Sequence, residues 1–331
     1  MGTILVIGSN SFSGASFCSY LLKLGVDVIG ASRSSEAADV FLPYKWLPAD
    51  QQKRFQFVQI DLNHDLEKLV KILREGKIKT IVNFAAQSMV GESWDKPDDW
   101  MRTNVVTAAL LAEKLRHLDF LEKYVHITTP EVYGSTDGWI SEDTPFNPST
   151  PYAVSRAAGD MLFKIYKESY GLPVVSTRAA NVYGPGQPLY RIIPRTIFFL
   201  LTGRVLELHG GGESVRSFIH IDDVSEATWM VAQSGQIGQT HHISTDRIIS
   251  IRDLVRLICE KLGKSFEESV KIVGERLGKD SAYCLDSSKL RDRLGWADRI
   301  TLEDGIDQTT AWASVNLAAL SKLPLNYIHK P

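Results

Sequence analysis

Short apolar runs alternate with amphipathic stretches through the first half of this chain, and that rhythm admits few architectures. Residues 4–7 (ILVI), 26–29 (VDVI), 57–60 (FVQI), 80–84 (TIVNF), 124–128 (YVHIT) and 174–177 read as buried strands. Residues 17–24, 66–75, 105–118 and 153–170 carry helical periodicity between them. Strands joined through helices close as right-handed crossovers, so the expected fold class is α/β with a doubly wound parallel sheet. The rhythm stops near Gly184. Pro185, Gly186 and Pro188 break it, Gly210-Gly211-Gly212 marks a turn-rich loop, and short strands and helices then mix. A smaller, mixed α/β C-terminal lobe is expected to cover one edge of the first unit, leaving a cleft between them.

The 331 residues fit about two domains of roughly 100–200 residues each. Hydrophobic residues at 44% and charged residues at 23% exclude a disordered chain. Lys and Arg number 37 against 39 Asp and Glu, a net charge of -2, so no nucleic-acid partner is expected. Cys18, Cys259 and Cys284 are far apart and form no CxxC pair, which fits a reducing cytoplasm. The most apolar stretch, residues 196–202 (TIFFLLT), falls short of the about 18 residues a membrane helix needs, so no membrane partner is expected. Met1-Gly2-Thr3 runs into an apolar strand with no basic region, so no signal peptide is expected either.

Gly8-Ser9-Asn10-Ser11-Phe12-Ser13-Gly14 follows the first strand and opens a helix. A nucleotide diphosphate sits at such a place on free backbone N–H groups and the positive helix end. Gly8 permits the tight turn and Gly14 the close approach of helix to sheet; Ser11 replaces the middle glycine of the usual spacing. The second strand runs into Ala31-Ser32-Arg33-Ser34, without the acid that grips a ribose 2′-hydroxyl. A cation flanked by hydroxyls suits the extra phosphate of NADP, which is therefore expected over NAD, the alternative. The expected architecture is a Rossmann-type unit over residues 1–184, with parts of 212–250, and a substrate lobe mainly over 185–331.

Tyr152 and Arg156 stand one helical turn apart on one face. The pair is similar to the Tyr-x-x-x-Lys of short-chain dehydrogenases/reductases, with arginine in place of lysine. A free tyrosine has a pKa near about 10, so a neighbouring cation is needed to make phenolate accessible. Asp61-Leu62, Asn83-Phe84-Ala85-Ala86-Gln87-Ser88, Thr128-Thr129-Pro130-Glu131-Val132-Tyr133-Gly134 and Asn181-Val182-Tyr183-Gly184 each follow a strand, where a doubly wound sheet binds ligands. With the glycine loop and the tyrosine pair, these ordered motifs resemble the extended short-chain dehydrogenase/reductase family, in its nucleotide-sugar epimerase and dehydratase branch. The resemblance runs from Ile4 to about Trp312.

Within that branch, Thr129-Pro130-Glu131 is similar to the Thr-Asp-Glu of dTDP-glucose 4,6-dehydratases and the Thr-Ser-Glu of GDP-mannose 4,6-dehydratases. Residues 275–286 resemble a run of the dTDP-glucose enzymes, and residues 87–93 a segment of the GDP-mannose enzymes. The resemblance implies an NAD(P)-dependent hydro-lyase that turns an NDP-hexose into NDP-4-keto-6-deoxyhexose. Tyr152, Arg156, Thr129 and Glu131 would be catalytic. Gly8, Asn10, Ser11, Phe12, Gly14, Ser32, Arg33, Asp61, Leu62, Phe84, Ala85, Ala86 and Gln87, with Tyr152 and Arg156, would bind the cofactor. Ser88, Asn181, Arg191, Arg216 and Arg276 would bind the nucleotide sugar. Residues 98–118 and 153–170 resemble the helix pair that forms a four-helix homodimer bundle in this family. A nucleotide-sugar 4-epimerase, a UDP-glucuronate-type decarboxylase and a catalytically silent NADP sensor are the other readings the sequence admits. No metal is expected.

Overall fold

The computed structural model describes residues 2–274 and 284–330. Seven parallel strands form the central sheet. In chain order six are β1 (Ile4–Ile7), β2 (Val28–Ser32), β3 (Phe55–Gln59), β4 (Thr80–Asn83), β5 (Lys123–Thr128) and β6 (Val174–Ala179). Then come β7 (Asn181–Tyr183), β8 (Leu206–His209), β9 (Val215–His220), β10 (Thr240–Ile243), β11 (Ile248–Ser250) and β12 (Val270–Val273). The sheet order is β10-β6-β5-β4-β1-β2-β3. All its pairings are parallel, as expected from the βα rhythm. The order reverses between β1 and β4, and ligands of such sheets bind outside the carboxyl ends of the strands at that switch point.

β1 is an unbroken apolar run because both of its faces are covered. Ile4 and Val6 pack with Phe17, Leu21 and Val224 on one side of the sheet. Leu5 and Ile7 pack with Leu69, Leu111 and Tyr124 on the other. The first side is built by α1 (Phe12–Lys23), the second by α2 (Leu66–Gly76). Next in the chain are α3 (Pro97–Met101), α4 (Thr107–Leu115) and the long α5 (Pro151–Tyr170).

The helix expected over 105–118 is regular over Thr107–Leu115 and opens on a π-type turn. That turn, Arg102–Val106, joins α3 to α4. Asn104 lies inside it, and its side chain accepts from Gln87 N at 3.0 Å and donates to Gln87 O at 3.0 Å and Ser155 Oγ at 2.9 Å. These three buried bonds hold the loop after β4 against α5, and the widened turn is the local cost of reaching them. The first helix starts earlier than its hydropathy suggests, at Phe12, because Ser11 caps it by accepting from Gly14 N at 3.1 Å.

The remaining elements are α6 (Ile192–Leu201), α7 (Ile221–Ser234), α8 (Ile251–Lys261), α9 (Ser288–Leu294) and α10 (Leu302–Val315). Of these, α6, α8 and α10 surround a second core that includes Ile193, Ile197, Phe198, Leu254, Ile258 and Ile306. The apolar 196–202 stretch belongs to α6 and buries its face there. Within the lobe β9 pairs parallel with β7 and antiparallel with β11, and β12 pairs with β8. The chain then returns: α7 packs on the first core and β10 joins the edge of the main sheet beside β6. Among the described residues no helix is long and apolar enough to cross a membrane.

Candidate active site

At the switch point the glycine loop is fixed by sterics. Gly8 has φ +85°, and a Cβ there would lie 2.7 Å from Ala85 N. A Cβ on Gly14 would lie 2.2 Å from Gly8 O. Ser11, in place of the middle glycine, donates from Oγ to Gly8 O at 2.7 Å while capping α1, so the turn gains a hydroxyl brace. Phe12 is the first residue of α1, whose N–H groups face this turn. Asn10 ties the loop to the end of β2. Its N–H donates to Ser32 Oγ at 3.0 Å, and its amide donates to Ser34 O at 3.1 Å and Ser35 O at 2.8 Å.

A cleft of about 520 Å³ opens above these residues. Gly8, Asn10, Ser11, Ser32, Arg33, Asp61, Leu62, Phe84, Ala85, Ala86 and Gln87 all line it, so the expected cofactor segments from four strand ends meet in one place. Asn10 Oδ1 is buried there without a partner among the described residues. An acceptor left unsatisfied, a helix N-terminus and two glycines that admit no side chain fit the adenosine and diphosphate of a dinucleotide. Asp61 caps its own loop by accepting from Asn63 N at 2.9 Å.

Thr129, Glu131 and Tyr152 form a neighbouring cluster where β5 ends and α5 begins. Thr150 caps α5 by accepting from Ala153 N at 3.1 Å, and Pro151 fills its first turn, which fixes Tyr152 near the helix start. Thr129 caps a 3₁₀ turn, Pro130–Tyr133, by accepting from Glu131 N at 3.4 Å. Pro130 therefore has a structural use as the N1 residue of that turn. The Tyr152 phenol is hydrogen-bonded with Thr129. Burial pushes it up to about 12, and the negative charge of Glu131 adds to the rise. Arg156, the Thr129 bond and Arg191 pull it back.

Arg156 is buried, and its guanidinium donates to Ile127 O, the backbone just before the Thr128-Thr129 step. It acts on Tyr152 as a cation held behind the phenol. It also lines a small cavity with Asn83, Asn104 and His126, and its Nε has no partner among the described residues.

A buried charge network missing from the sequence expectations sets this geometry. Asp160 stands two turns after Tyr152 on the same face of α5. It accepts from Thr128 Oγ1 at 2.9 Å and Arg178 at 2.8 Å, and pairs with His126 Nε2 at 3.1 Å. Burial pushes its carboxyl up, but the His126 bond and the Arg178 charge outweigh this and hold it well below the usual carboxylate range. Arg178 also donates to Tyr133 OH, which meets His242 Nε2 at 2.8 Å. The network clamps β5, β6, β10 and α5 together under the tyrosine. The i, i+4, i+8 spacing of Tyr152, Arg156 and Asp160 is the sequence signal that could have found it.

The expected sugar-nucleotide residues are more dispersed. Ser88 is exposed in the loop after β4. Asn181 opens β7, in register with Phe218 of β9, and Arg216 lies on β9, largely buried. Arg191 is exposed at the start of α6, its guanidinium 5.5 Å from the Tyr190 ring centre and its charge felt at Tyr152. Arg276, with the rest of residues 275–283, lies outside the described residues.

The fold and site define a class: a Rossmann-type α/β protein with a tyrosine and a carboxylate grouped at one strand end. The family model described as GDP-mannose 4,6 dehydratase matches residues 5–309. The dTDP-glucose 4,6-dehydratase of Xanthomonas campestris pv. campestris is 32% identical over 336 residues, covering 96% of this chain and 94% of that protein. A trifunctional UDP-glucose 4,6-dehydratase/UDP-4-keto-6-deoxy-D-glucose 3,5-epimerase/UDP-4-keto-L-rhamnose-reductase of Arabidopsis thaliana is 35% identical over 273 residues. That match covers 81% of this chain and 41% of the plant protein, so the chain spans about two-fifths of that relative's length. The dTDP-glucose 4,6-dehydratase of Streptomyces venezuelae, solved with NAD bound, superposes with a TM-score of 0.87 at 32% identity, covering 96% of this chain and 98% of that one. The chain belongs to the GDP-mannose 4,6 dehydratase family, within the extended short-chain dehydrogenases/reductases of nucleotide sugars.

Proposed function

We propose that the protein is a nucleotide-sugar 4,6-dehydratase, a hydro-lyase that converts an NDP-hexose to NDP-4-keto-6-deoxyhexose. The observation that carries this reading is the grouping of Thr129, Glu131 and Tyr152. A phenol suited to the 4-hydroxyl proton stands beside a carboxylate suited to the proton on the next carbon. The full-length likeness to a bacterial dTDP-glucose 4,6-dehydratase supports it.

The chain's residues divide the work. Tyr152, as phenolate, takes the proton from O4 while Thr129 holds the hydroxyl in place. A nicotinamide cofactor held beside Tyr152 would supply reversible hydride chemistry for C4 and C6. The C4 ketone acidifies the C5 proton, which Glu131 removes. The C6–O bond then breaks, and the hydroxyl leaves as water with the proton Glu131 carries, since Pro130 has none to give. C5 takes a proton of solvent origin and Tyr152 returns its own to solvent, so the net change is the loss of one water.

Gly8, Asn10, Ser11, Phe12 and Gly14 would hold the diphosphate. Ser32 and Arg33 would take the 2′-phosphate of NADP; Asp61 and Leu62 would flank the adenine. Phe84, Ala85, Ala86, Gln87, Tyr152 and Arg156 would border the nicotinamide end. Residues 1–184 with parts of 212–250 form the cofactor unit in this reading, and residues 185–331 mainly the sugar-nucleotide lobe. Ser88, Asn181, Arg191, Arg216 and Arg276 would meet the substrate. Arginine suits a diphosphate because its fork donates parallel hydrogen bonds. The three cysteines, all buried and unpaired, support a reducing cytoplasmic setting.

Mass spectrometry of the purified protein with a panel of nucleotide sugars and NADP or NAD tests the activity. One substrate is expected to lose one water. A new isomer of unchanged mass would replace this reading with an epimerase, loss of CO₂ with a decarboxylase, and cofactor binding without turnover with a silent sensor.

A homodimer through α4 and α5 belongs to the same proposal. Leu110, Met161 and Ile165 are 52%, 56% and 54% exposed, with Val106 and Val154 beside them, an apolar face too large to leave in water. Sedimentation velocity is expected to give a dimer for the wild type and a monomer for Met161→Glu/Ile165→Glu. A monomeric wild type would overturn the assignment.

A further inference from the structure

Residues 323–330 lie across the cofactor cleft as a strap, anchored on both of its walls. On the lobe side, Leu323 and Leu325 pack against the second core, and Arg195 of α6 donates to Leu325 O and Asn326 Oδ1, each at 2.6 Å. Tyr327 sets its ring edge-on to Tyr190, with centroids 5.5 Å apart. On the sheet side, His329 stacks on the buried Trp100 ring at 5.0 Å and bonds Asp99 Oδ2 at 2.7 Å. Gln87, at the end of β4, donates to Lys330 O at 2.7 Å, and the Lys330 ammonium stands 3.4 Å from Ser34 Oγ. Exposure alternates along the strap. Leu323, Leu325, Tyr327 and His329 are half-buried among the anchors, while Pro324, Asn326, Ile328 and Lys330 between them are exposed and all line the cleft.

We infer that the strap is the outer wall of the cofactor site: it closes over a nicotinamide dinucleotide and holds it through successive turnovers, with Ile328 on its ligand face and His329 as its latch. The inference rests on the dinucleotide reading above and adds to it residues far from the nucleotide fold in sequence. The strap is fastened to opposite walls, so it bridges the cleft and does not hang beside it. Gly8, Ser11 and Ala85 line the same cleft, so a ligand seated on the glycine loop lies in the space the strap encloses. Ile328 is 63% exposed, an apolar side chain on the cleft lining that contact with a flat heterocycle would take out of water. The strap also fits the reaction. The cofactor ends each cycle in the form in which it began, so a segment that slows its exchange costs no turnover.

The test is displacement of bound cofactor from the full chain. Protein loaded with NADH or NADPH, whichever binds, is mixed with excess oxidised cofactor, and the decay of nicotinamide fluorescence gives the dissociation rate. His329→Ala removes the latch and Ile328→Ser the apolar contact; Ile328 is exposed, so its replacement leaves the fold intact. Both variants are expected to release the cofactor faster than the wild type, His329→Ala about tenfold. In the wild type, bound cofactor is expected to protect the Tyr327–Ile328 bond from chymotrypsin. A wild type that binds neither cofactor overturns the dinucleotide reading and this inference with it. Binding with a dissociation rate that neither variant changes overturns the inference alone. Faster association at an unchanged dissociation rate also overturns it, because the strap would then be a barrier to entry. So does cleavage after Tyr327 at the same rate with and without cofactor.

Discussion

Glu131→Gln is expected to separate the two halves of the reaction. Glutamine keeps the size of the side chain and cannot take a proton, so C4 oxidation should proceed while C5 deprotonation stops. General-base catalysis contributes about 10²- to 10⁴-fold, and dehydration should fall by that much. Rapid quench and mass spectrometry are expected to find a 4-keto sugar nucleotide that retains its 6-hydroxyl. In D₂O the wild-type product should carry solvent deuterium at C5, and the variant's trapped intermediate none. The electrostatics add a second signature. Glu131 contributes to the raised pKa of Tyr152, so removing its charge lowers that pKa. Phenolate then forms at lower pH, and the rising limb of the C4-oxidation rate should move downward in pH. Full turnover by this variant would remove Glu131 from the chemistry and assign the C5 proton to another base.

Much of this site was legible because its requirements are local. β1 is apolar at every position since both sheet faces bury it, and the run is visible in four letters. Gly8 and Gly14 answer to contacts within one turn, so the loop announces itself. Helical spacing puts Tyr152 and Arg156 on one face, and the family resemblance singled out that pair together with Thr129 and Glu131. The π-type turn after Met101 was not legible. It depends on Asn104 meeting Gln87 and Ser155, and no pattern of hydropathy encodes that pairing. β10 hides behind two histidines, His241 and His242, that tertiary packing buries in a sheet edge. Asp160 could have been read from its spacing, but its partners His126 and Arg178 come from two other strands. The strap's bonds to Gln87 and Ser34 join residues more than two hundred positions apart, and only the folded chain shows them.

Tyr152→Phe is expected to abolish the reaction at its first step. The phenol is the group placed against Thr129 and in the field of Arg156, and phenylalanine keeps its ring and loses its proton chemistry. The loss should reach about 10²- to 10⁴-fold in kcat, with no keto intermediate of either kind accumulating, in contrast to Glu131→Gln. KM should change little, because the hydroxyl acts on the reacting proton and not on the nucleotide. Stability should fall by about 1–3 kcal/mol at most, since the Thr129 hydroxyl loses one buried partner while the ring stays packed. The pH profile of the wild type follows from the same residue. Burial holds the phenol at about 12 before any ligand arrives, so the fraction of phenolate rises with pH throughout the neutral range. Log kcat/KM should therefore climb with pH near neutrality, and climb more gently wherever a bound cation lowers that pKa. A Tyr152→Phe variant that still forms the 4-keto product at more than a tenth of the wild-type rate would show that another group accepts the O4 proton. In that case Tyr152 would be a packing residue beside Thr129, and the proposed proton path would fall with it.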